Sequence, residues 1–125
     1  MPDPCYNRVV ITAKLDGNIE RISQLREIFG GNNVFHHIVP EPPRFEPHAE
    51  TLNKEQLQWR LSNWGVKWDL FEGNVKISRK SKKGFTAEFV TPTRPPIGIC
   101  AAIRSQGIRV SWFYDCPDTE QAGYL

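Results

Sequence analysis

The spacing of apolar residues along the chain predicts alternating strands and helices. Residues 7–15 are rich in β-branched side chains, which predicts a strand with a central place in its sheet, and the sequence "DGN" ends it. Apolar residues then recur every three or four positions from Ile19 to Phe29, between a candidate cap at Asn18 and a glycine stop at Gly30. The chain therefore begins with a strand and a helix that covers it.

A proline-rich segment interrupts this regularity. Residues 32–50 carry four prolines and all three histidines, which predicts an ordered surface loop. Asn53 and Gln56 then match a capping box, so we expect a second helix that ends at Gly65. The apolar face of this helix is predicted to carry Leu57, Leu61 and Trp64. Trp68 follows in an extended segment, and the stretch "NWGVKWD" is expected to form a corner of the core.

The second half of the chain predicts a hairpin, a helix and a final strand. A basic tip at 78–84 separates two arms, and the second arm alternates with a buried face of Phe85, Ala87 and Phe89. Pro96 suits the first position of a third helix, which Gly107 ends. The apolar face of this helix is predicted to carry Ile99, Ala102 and Ile103. Residues 108–115, "IRVSWFYD", predict the last strand.

The predicted order of elements is β-α-(loop, α)-β-β-α-β. This order is typical of the α+β class and of the ferredoxin-like split β-α-β sandwich. We therefore expect one ferredoxin-like domain over residues 1–125, with an antiparallel sheet that carries its helices on one face. The proline- and histidine-rich loop and the following helix, at about 32–65, are expected to be an insertion into this pattern.

Composition and charge restrict the possible partners. The 125 residues are 39% hydrophobic and 24% charged, as in ordinary soluble domains, and a net charge of +2 is too small to predict nucleic-acid or membrane binding. The start lacks the features of a signal peptide, and no apolar run approaches the roughly 20 residues that cross a bilayer. Three widely spaced cysteines without a CxxC pair argue against a disulfide framework and a zinc site. We expect a soluble protein of a reduced, bacterial cytoplasm, with no membrane partner.

Few residues suggest catalysis. The proline-rich loop combines histidines with glutamates, but their spacing matches no metal-binding motif: His36, His37, His48, Glu41, Glu46 and Glu50. Cys5 and Cys116 have no base beside them in the sequence and are interpreted as small apolar residues. Neither a nucleophile motif nor a phosphate-binding glycine loop is present. We predict no enzymatic activity, no cofactor and no metal, and a hydrolase that uses the histidine loop is the least favoured alternative.

Five segments that follow one another along nearly the whole chain resemble a single family. They are "CYN", "FHHIVPEPP", "WRLSNWGVKWD", "FVTPTRPP" and "WFYDCPDTEQAG". The "NWGVKWD" part is the most specific, because two tryptophans, a glycine and a lysine have fixed spacing. On these segments the chain resembles the YubB-like proteins of plasmids and phages, whose C-terminal part is described as a ferredoxin-like domain. The resemblance implies an origin in a mobile genetic element and the same fold, and it supplies no activity.

Two groups of residues are candidates for binding a partner. The hairpin concentrates positive charge in Lys76, Arg79, Lys80, Lys82 and Lys83. Residues 82–90 partly match the RNA-recognition consensus, in which Phe85 would stack on a base, although a charged tip also serves solubility. The second group, Arg44, Trp59 and Arg60, includes the residue types enriched at protein interfaces, and Trp59 is expected to be partly exposed.

The favoured hypothesis is a non-enzymatic binding protein of a phage or plasmid that contacts a host protein complex. In its most specific form the protein inhibits bacterial immunity, as an anti-CRISPR protein does. The alternative is a module that binds single-stranded nucleic acid through an open sheet and the basic hairpin. The sequence leaves the oligomeric state open.

Overall fold

The computed structural model describes residues 3–14, 18–45 and 52–125 of the chain. Within these ranges the backbone forms five strands and four helices, which confirms the α+β class. In chain order the elements are β1 (Pro4–Thr12), α1 (Ile19–Phe29), α2 (Val34–Ile38), α3 (Lys54–Asn63), β2 (Lys76–Ser81), β3 (Gly84–Pro92), α4 (Ile97–Arg104), β4 (Arg109–Cys116) and β5 (Gln121–Tyr124). No helix among the described residues is long and apolar enough to cross a bilayer.

The five strands form one sheet in which every neighbouring pair is antiparallel. The strand order is β2-β3-β1-β4-β5, so β1 has the central place that was predicted. Val9 lies opposite Ala87 on one side and opposite Trp112 on the other. The predicted sheet had four strands and lacked β5, which pairs with β4 after a turn in which Glu120 is left-handed (φ 55°).

The sheet buries one face against the helices. The predicted alternation in β3 is confirmed, because Phe85, Ala87 and Phe89 are all buried. Together with residues of β1, β4, α1 and α4 they form one apolar cluster, which includes Val9, Ile11, Ile22, Leu25, Phe29, Ile99, Ile103 and Trp112. The residues that alternate with these on the strands point to the opposite face, where Tyr6 and Phe113 are exposed.

Two helices meet at Gly98, the second residue of α4. Its N–H donates to the carbonyl of Trp64 at 3.0 Å, and a Cβ at this position would collide with the carbonyl of Asn63. Glycine therefore permits α4 to begin directly against the end of α3. Trp64 is fully buried at this contact, which confirms for this residue the core corner predicted from "NWGVKWD". Trp68 lies in an unpaired segment and is 36% exposed, so the prediction that it also packs in the core was wrong.

The predicted loop contains the short helix α2, so the prediction of an irregular segment was wrong for these residues. Val34 and Phe35 are buried in the core, and the ring of Phe35 lies 5.9 Å from that of Trp64. Asp69 accepts the N–H groups of Phe35 and His36 at 2.6 and 3.1 Å, which satisfies backbone donors at the start of the helix. The prolines do not prevent this helix, because all four follow it in the sequence.

Helix α3 begins where it was predicted and buries a different face. The side chain of Asn53 accepts the N–H of Gln56 at 2.7 Å, which confirms the cap. Gln56 and Arg60 are buried, whereas Leu61 is 38% exposed. The predicted leucine-lined face was wrong because the buried side of the helix meets the carboxylate of Glu41 and not an apolar surface.

Cys5 and Cys116 form a disulfide, so the interpretation of both residues as separate apolar fillers was wrong. The register of β1 and β4 explains the pairing: Tyr6 lies opposite Asp115, and the two cysteines occupy the next positions. Cys100 is a buried free thiol, and burial raises its pKa above the ordinary value of 9.0, with Arg104 as a smaller opposing influence. The prediction of a reduced cytoplasm was based on unpaired cysteines, and the disulfide removes that basis.

Candidate functional site

The face of the sheet opposite the helices carries a group of exposed aromatic side chains. The register aligns Arg8 with Phe113, and Phe113 with Tyr124. Tyr6 precedes Arg8 by two residues, so it points to the same face, and it lies opposite Val90. The side chains of Tyr6, Phe113 and Tyr124 are 50%, 37% and 72% exposed. We call these three residues the aromatic cluster.

The aromatic cluster can hold a flat ligand. Neighbouring strands lie about 4.8 Å apart, so side chains that are opposite in register touch. The rings of Phe113 and Tyr124 have centroids 5.3 Å apart in an edge-to-face arrangement. Exposed rings on adjacent strands provide successive stacking surfaces for planar groups such as nucleobases.

The hairpin of β2 and β3 brings positive charge to one end of this face. Its exposed basic residues are those that were predicted, Lys76, Arg79, Lys80, Lys82 and Lys83. The tip adjoins the end of β1, because Thr12 lies opposite Gly84, and Arg109 of β4 lies opposite Thr12 on the other side. Asp115 lies towards the other end of β4, opposite Tyr6. The charge on the face is therefore unevenly distributed along the strands.

Two predicted binding residues are buried. Phe85 is 2% exposed and packs against Phe29 on the helix side, with ring centroids 5.8 Å apart. Its predicted role in stacking a base was wrong, because the pairing of Gly84 with Thr12 turns Phe85 towards the core. Arg60 is also 2% exposed, so its predicted place in an exposed protein interface was wrong.

The other two members of the predicted protein interface do not form an open patch. Arg44 is exposed, but its Nε and Nη2 donate to Glu55 Oε1 at 3.0 and 2.7 Å, and its guanidinium lies over the ring of Phe45. Trp59 is partly exposed, as predicted, and packs edge-to-face against Trp64 with centroids 5.7 Å apart. Arg44 and Trp59 are thus already engaged within the fold.

Arg60 belongs to a buried polar network that holds the inserted segment. Its Nε and Nη2 donate to the two carboxylate oxygens of Glu41, each at 3.0 Å. Gln56 Nε2 donates to the same carboxylate at 3.0 Å, and Arg60 Nη1 donates to the carbonyl of Lys67 at 3.0 Å. The guanidinium also lies over the ring of Trp64, at 4.9 Å from its centroid. The network joins the proline-rich segment, α3 and the corner that follows α3.

Asp69 is the described carboxylate with a shifted pKa. Burial raises the pKa of Asp69 above its ordinary value of 3.8, against the hydrogen bonds from the N–H groups of Phe35, Leu70 and His36 and the charge of Arg60. Between 3.8 and the raised pKa the native state binds more protons than the unfolded state. The contribution of Asp69 to stability therefore falls as the pH rises through that window, and it is greatest below 3.8.

The histidines of the predicted loop do not converge. The rings of His36 and His37 are perpendicular, with centroids 6.1 Å apart. His36 Nδ1 accepts the N–H of Glu41 at 3.2 Å, and His37 Nδ1 lies 2.9 Å from the carbonyl of Asn33. His48, Glu46 and Glu50 lie outside the described residues. Among the residues that the structure describes, no group of three or more potential ligands could hold a metal ion.

The aromatic cluster was not predicted, although the sequence carries a signal for it. In "CYNRVVIT" the residues Tyr6 and Arg8 alternate with the buried Cys5, Asn7 and Val9. The β-branched content of this segment predicts only a strand, whereas its two-residue period separates a buried face from an exposed one. Comparisons of this chain with protein-family models, curated proteins and solved structures gave no match. The resemblance to the YubB-like proteins therefore stays a prediction.

Proposed function

We propose that this protein binds single-stranded nucleic acid on the open face of its sheet, which is the face opposite the helices. The observation that carries the proposal is that the aromatic cluster lies on a sheet face whose one end adjoins the tip of the basic hairpin. Base stacking on an aromatic side chain contributes about 1–3 kcal/mol per base and tolerates any sequence. The cluster supplies three such side chains, and the cations of the hairpin supply partners for the phosphates. The expected ligand is a short single strand with little sequence preference.

The proposal includes a ferredoxin-like core. The order β2-β3-β1-β4 supports it, because β3 separates β1 from β2, and β1 separates β3 from β4. Two split β-α-β units interlocked in this way are the pattern of that fold, and β5 then extends one edge. In folds of this kind the helix-free face of the sheet is the surface used to bind single-stranded RNA.

A second candidate function is contact with a host protein, the role expected of a phage or plasmid protein that inhibits bacterial immunity. Val90 favours it, because this aliphatic side chain is 49% exposed directly beside Tyr6 and adds apolar surface that a nucleic acid does not need. Basic residues at the hairpin would suit an acidic partner. The same face would serve both functions, so variants of the aromatic cluster affect either one.

Fluorescence anisotropy with a labelled single strand of mixed sequence tests the main proposal. We expect about four cations to contact phosphates, namely Arg8, Arg79, Lys82 and Lys83. For a single strand this number of contacts predicts that the logarithm of the affinity falls with the logarithm of the salt concentration with a slope of about −3. Phe113→Ala should weaken binding by about tenfold through the loss of one stacked base. Lys54→Ala, on α3, removes a lysine from another element and is the matched control.

The outcomes separate the two candidates. Salt-dependent binding that Phe113→Ala weakens and Lys54→Ala leaves unaltered supports the nucleic-acid function. Absent or salt-insensitive binding of mixed single strands would dismiss it. A stable complex with a purified acidic protein of a bacterial defence system, lost in Phe113→Ala, would then establish the second candidate.

A further inference from the structure

We infer that Arg8, Arg79 and Lys83 form a cleft that binds one phosphate group of the ligand. The inference rests on the proposed function and specifies where the backbone of the strand is held. The cleft is a hollow of about 200 Å³ on the open face, at the end that adjoins the hairpin tip. Its three cations come from three parts of the chain, namely β1, β2 and the tip between β2 and β3. Gly84 and Thr86 of β3 contribute to its floor.

The backbone at Arg79 is the second observation that supports the cleft. Arg79 has φ 51°, in the left-handed region that residues with a Cβ rarely adopt. The register of β2 with β3 shifts between Ser78 and Ser81, so Arg79 lies in a bulge of the edge strand. Bulges redirect side chains, and sparsely populated backbone conformations cluster at functional sites. Here the redirected side chain lines the cleft.

The charged residues that line the cleft are all positive, which favours an anion there. The lining contains no acidic residue. Arg8 does form an ion pair with Glu88, with Nε and Oε1 3.7 Å apart, but both side chains are nearly half exposed and exposed pairs are weak, so Glu88 does not prevent Arg8 from binding an anion. Within the described ranges, no carboxylate forms an ion pair with Arg79 or Lys83. Three cations around one hollow repel one another, and a phosphate would relieve that repulsion while accepting their hydrogen bonds.

The position of the cleft fits a nucleotide better than an isolated anion. Arg8 lies directly opposite Phe113, so one of the three cations of the cleft is on the strand next to the aromatic cluster. A short single strand can therefore place one of its phosphates in the cleft and one of its bases on Phe113. Inorganic phosphate shares the charge chemistry but cannot use the ring.

Two hairpin variants distinguish a defined cleft from diffuse positive charge. Arg79→Gly removes the guanidinium and relieves the left-handed backbone, so the fold should be retained. Lys80→Ala removes the same charge from the adjacent position, which does not line the cleft. We expect Arg79→Gly to weaken the affinity for an oligothymidylate about tenfold, the loss of a charge-assisted contact, and Lys80→Ala to weaken it about twofold. Lys83→Gln, at the exposed tip, serves as a second cleft variant.

Titration with inorganic phosphate, followed by amide NMR, tests the cleft without the oligonucleotide. The amides of Gly84 and Thr86 should shift with added phosphate, and chloride at the same ionic strength should not move them. The shifts should vanish in Arg79→Gly and persist in Lys80→Ala. The oligothymidylate should bind more tightly than inorganic phosphate, because it also engages Phe113.

The possible results separate the cleft from the function. Equal losses in Arg79→Gly and Lys80→Ala, with the oligonucleotide still bound, would overturn the cleft and leave the proposed function intact. Phosphate shifts that depend on Arg79, without any oligonucleotide binding, would support the cleft and refute the proposed function. The absence of both would refute both.

Discussion

Replacing Glu41 by glutamine tests the buried ion pair that holds the inserted segment. Glu41→Gln keeps the shape of the side chain and removes its charge, so Arg60, which is 2% exposed, loses the carboxylate that it contacts. The new NH₂ group would also face an N–H donor of the guanidinium. Removing one partner of a buried ion pair costs about 3–5 kcal/mol. Such a loss is large beside the total stability of a domain, about 5–15 kcal/mol.

The exposed pair of Arg44 and Glu55 supplies the matched control. Arg44 Nη2 lies 2.7 Å from Glu55 Oε1, so the contact is at least as close as the buried one. The two side chains are 60% and 64% exposed, however, and exposed pairs contribute only about 0–1 kcal/mol. Glu55→Gln should therefore lower the free energy of unfolding by less than about 1 kcal/mol. The difference between the two variants isolates the effect of burial.

Thermal and urea unfolding measure this difference. In a chain of this size 1 kcal/mol corresponds to about 3–6 °C in the unfolding midpoint, so a loss of about 3–5 kcal/mol in Glu41→Gln should lower the midpoint by about 10–30 °C. The double variant Glu41→Leu with Arg60→Met should recover part of that loss, because neither member of the pair is then left in the core as a charge without its partner. Equal losses in Glu41→Gln and Glu55→Gln would refute the reasoning, since burial would then make no difference to the pair.

Two further predictions concern Asp69 and the disulfide. Carboxyl NMR should give Asp69 a pKa above 3.8. In the wild type the free energy of unfolding should fall between pH 3.8 and that pKa, and Asp69→Asn should abolish this fall. A measured pKa at or below 3.8 would mean that the hydrogen bonds to Asp69 outweigh its burial. Reduction of the bond between Cys5 and Cys116 should lower the free energy of unfolding by about 4–5 kcal/mol, because the bond spans 111 residues. Cys5→Ser, which cannot form the bond, should have the same free energy of unfolding without reductant as the reduced wild type. Cys100→Ser keeps the bond and is the control. A free energy of unfolding that reduction leaves unaltered would contradict the loop-closure argument.

Local periodicity predicted the parts of the fold that depend on neighbouring residues. Helix α1 spans Ile19–Phe29 as expected. The hairpin turns at Lys82 and Lys83, and the buried residues of its second arm alternate as predicted. These elements are marked by apolar spacing and by glycines at their ends, signals that lie within a few positions of each other. Nothing distant is needed to recognise them.

The remaining features depend on distant contacts. Helix α2 starts against Asp69, which is 34 residues from Phe35, and the cysteines that pair are 111 residues apart. Arginine is usually exposed, and only the contact with Glu41, 19 residues earlier, makes the burial of Arg60 favourable. The open face is different: the alternation of Tyr6 with its neighbours could have identified it from the sequence.

The pair of Glu41 and Arg60 also restricts how this sequence can diverge over evolutionary time. A change at either position passes through a less stable protein, so both must change nearly together or neither can. Distant homologues should therefore carry the acidic residue and the arginine as a covarying pair, 19 positions apart, or should have lost both to apolar residues. This linked pair gives a search for remote relatives a criterion that similarity at single positions does not supply.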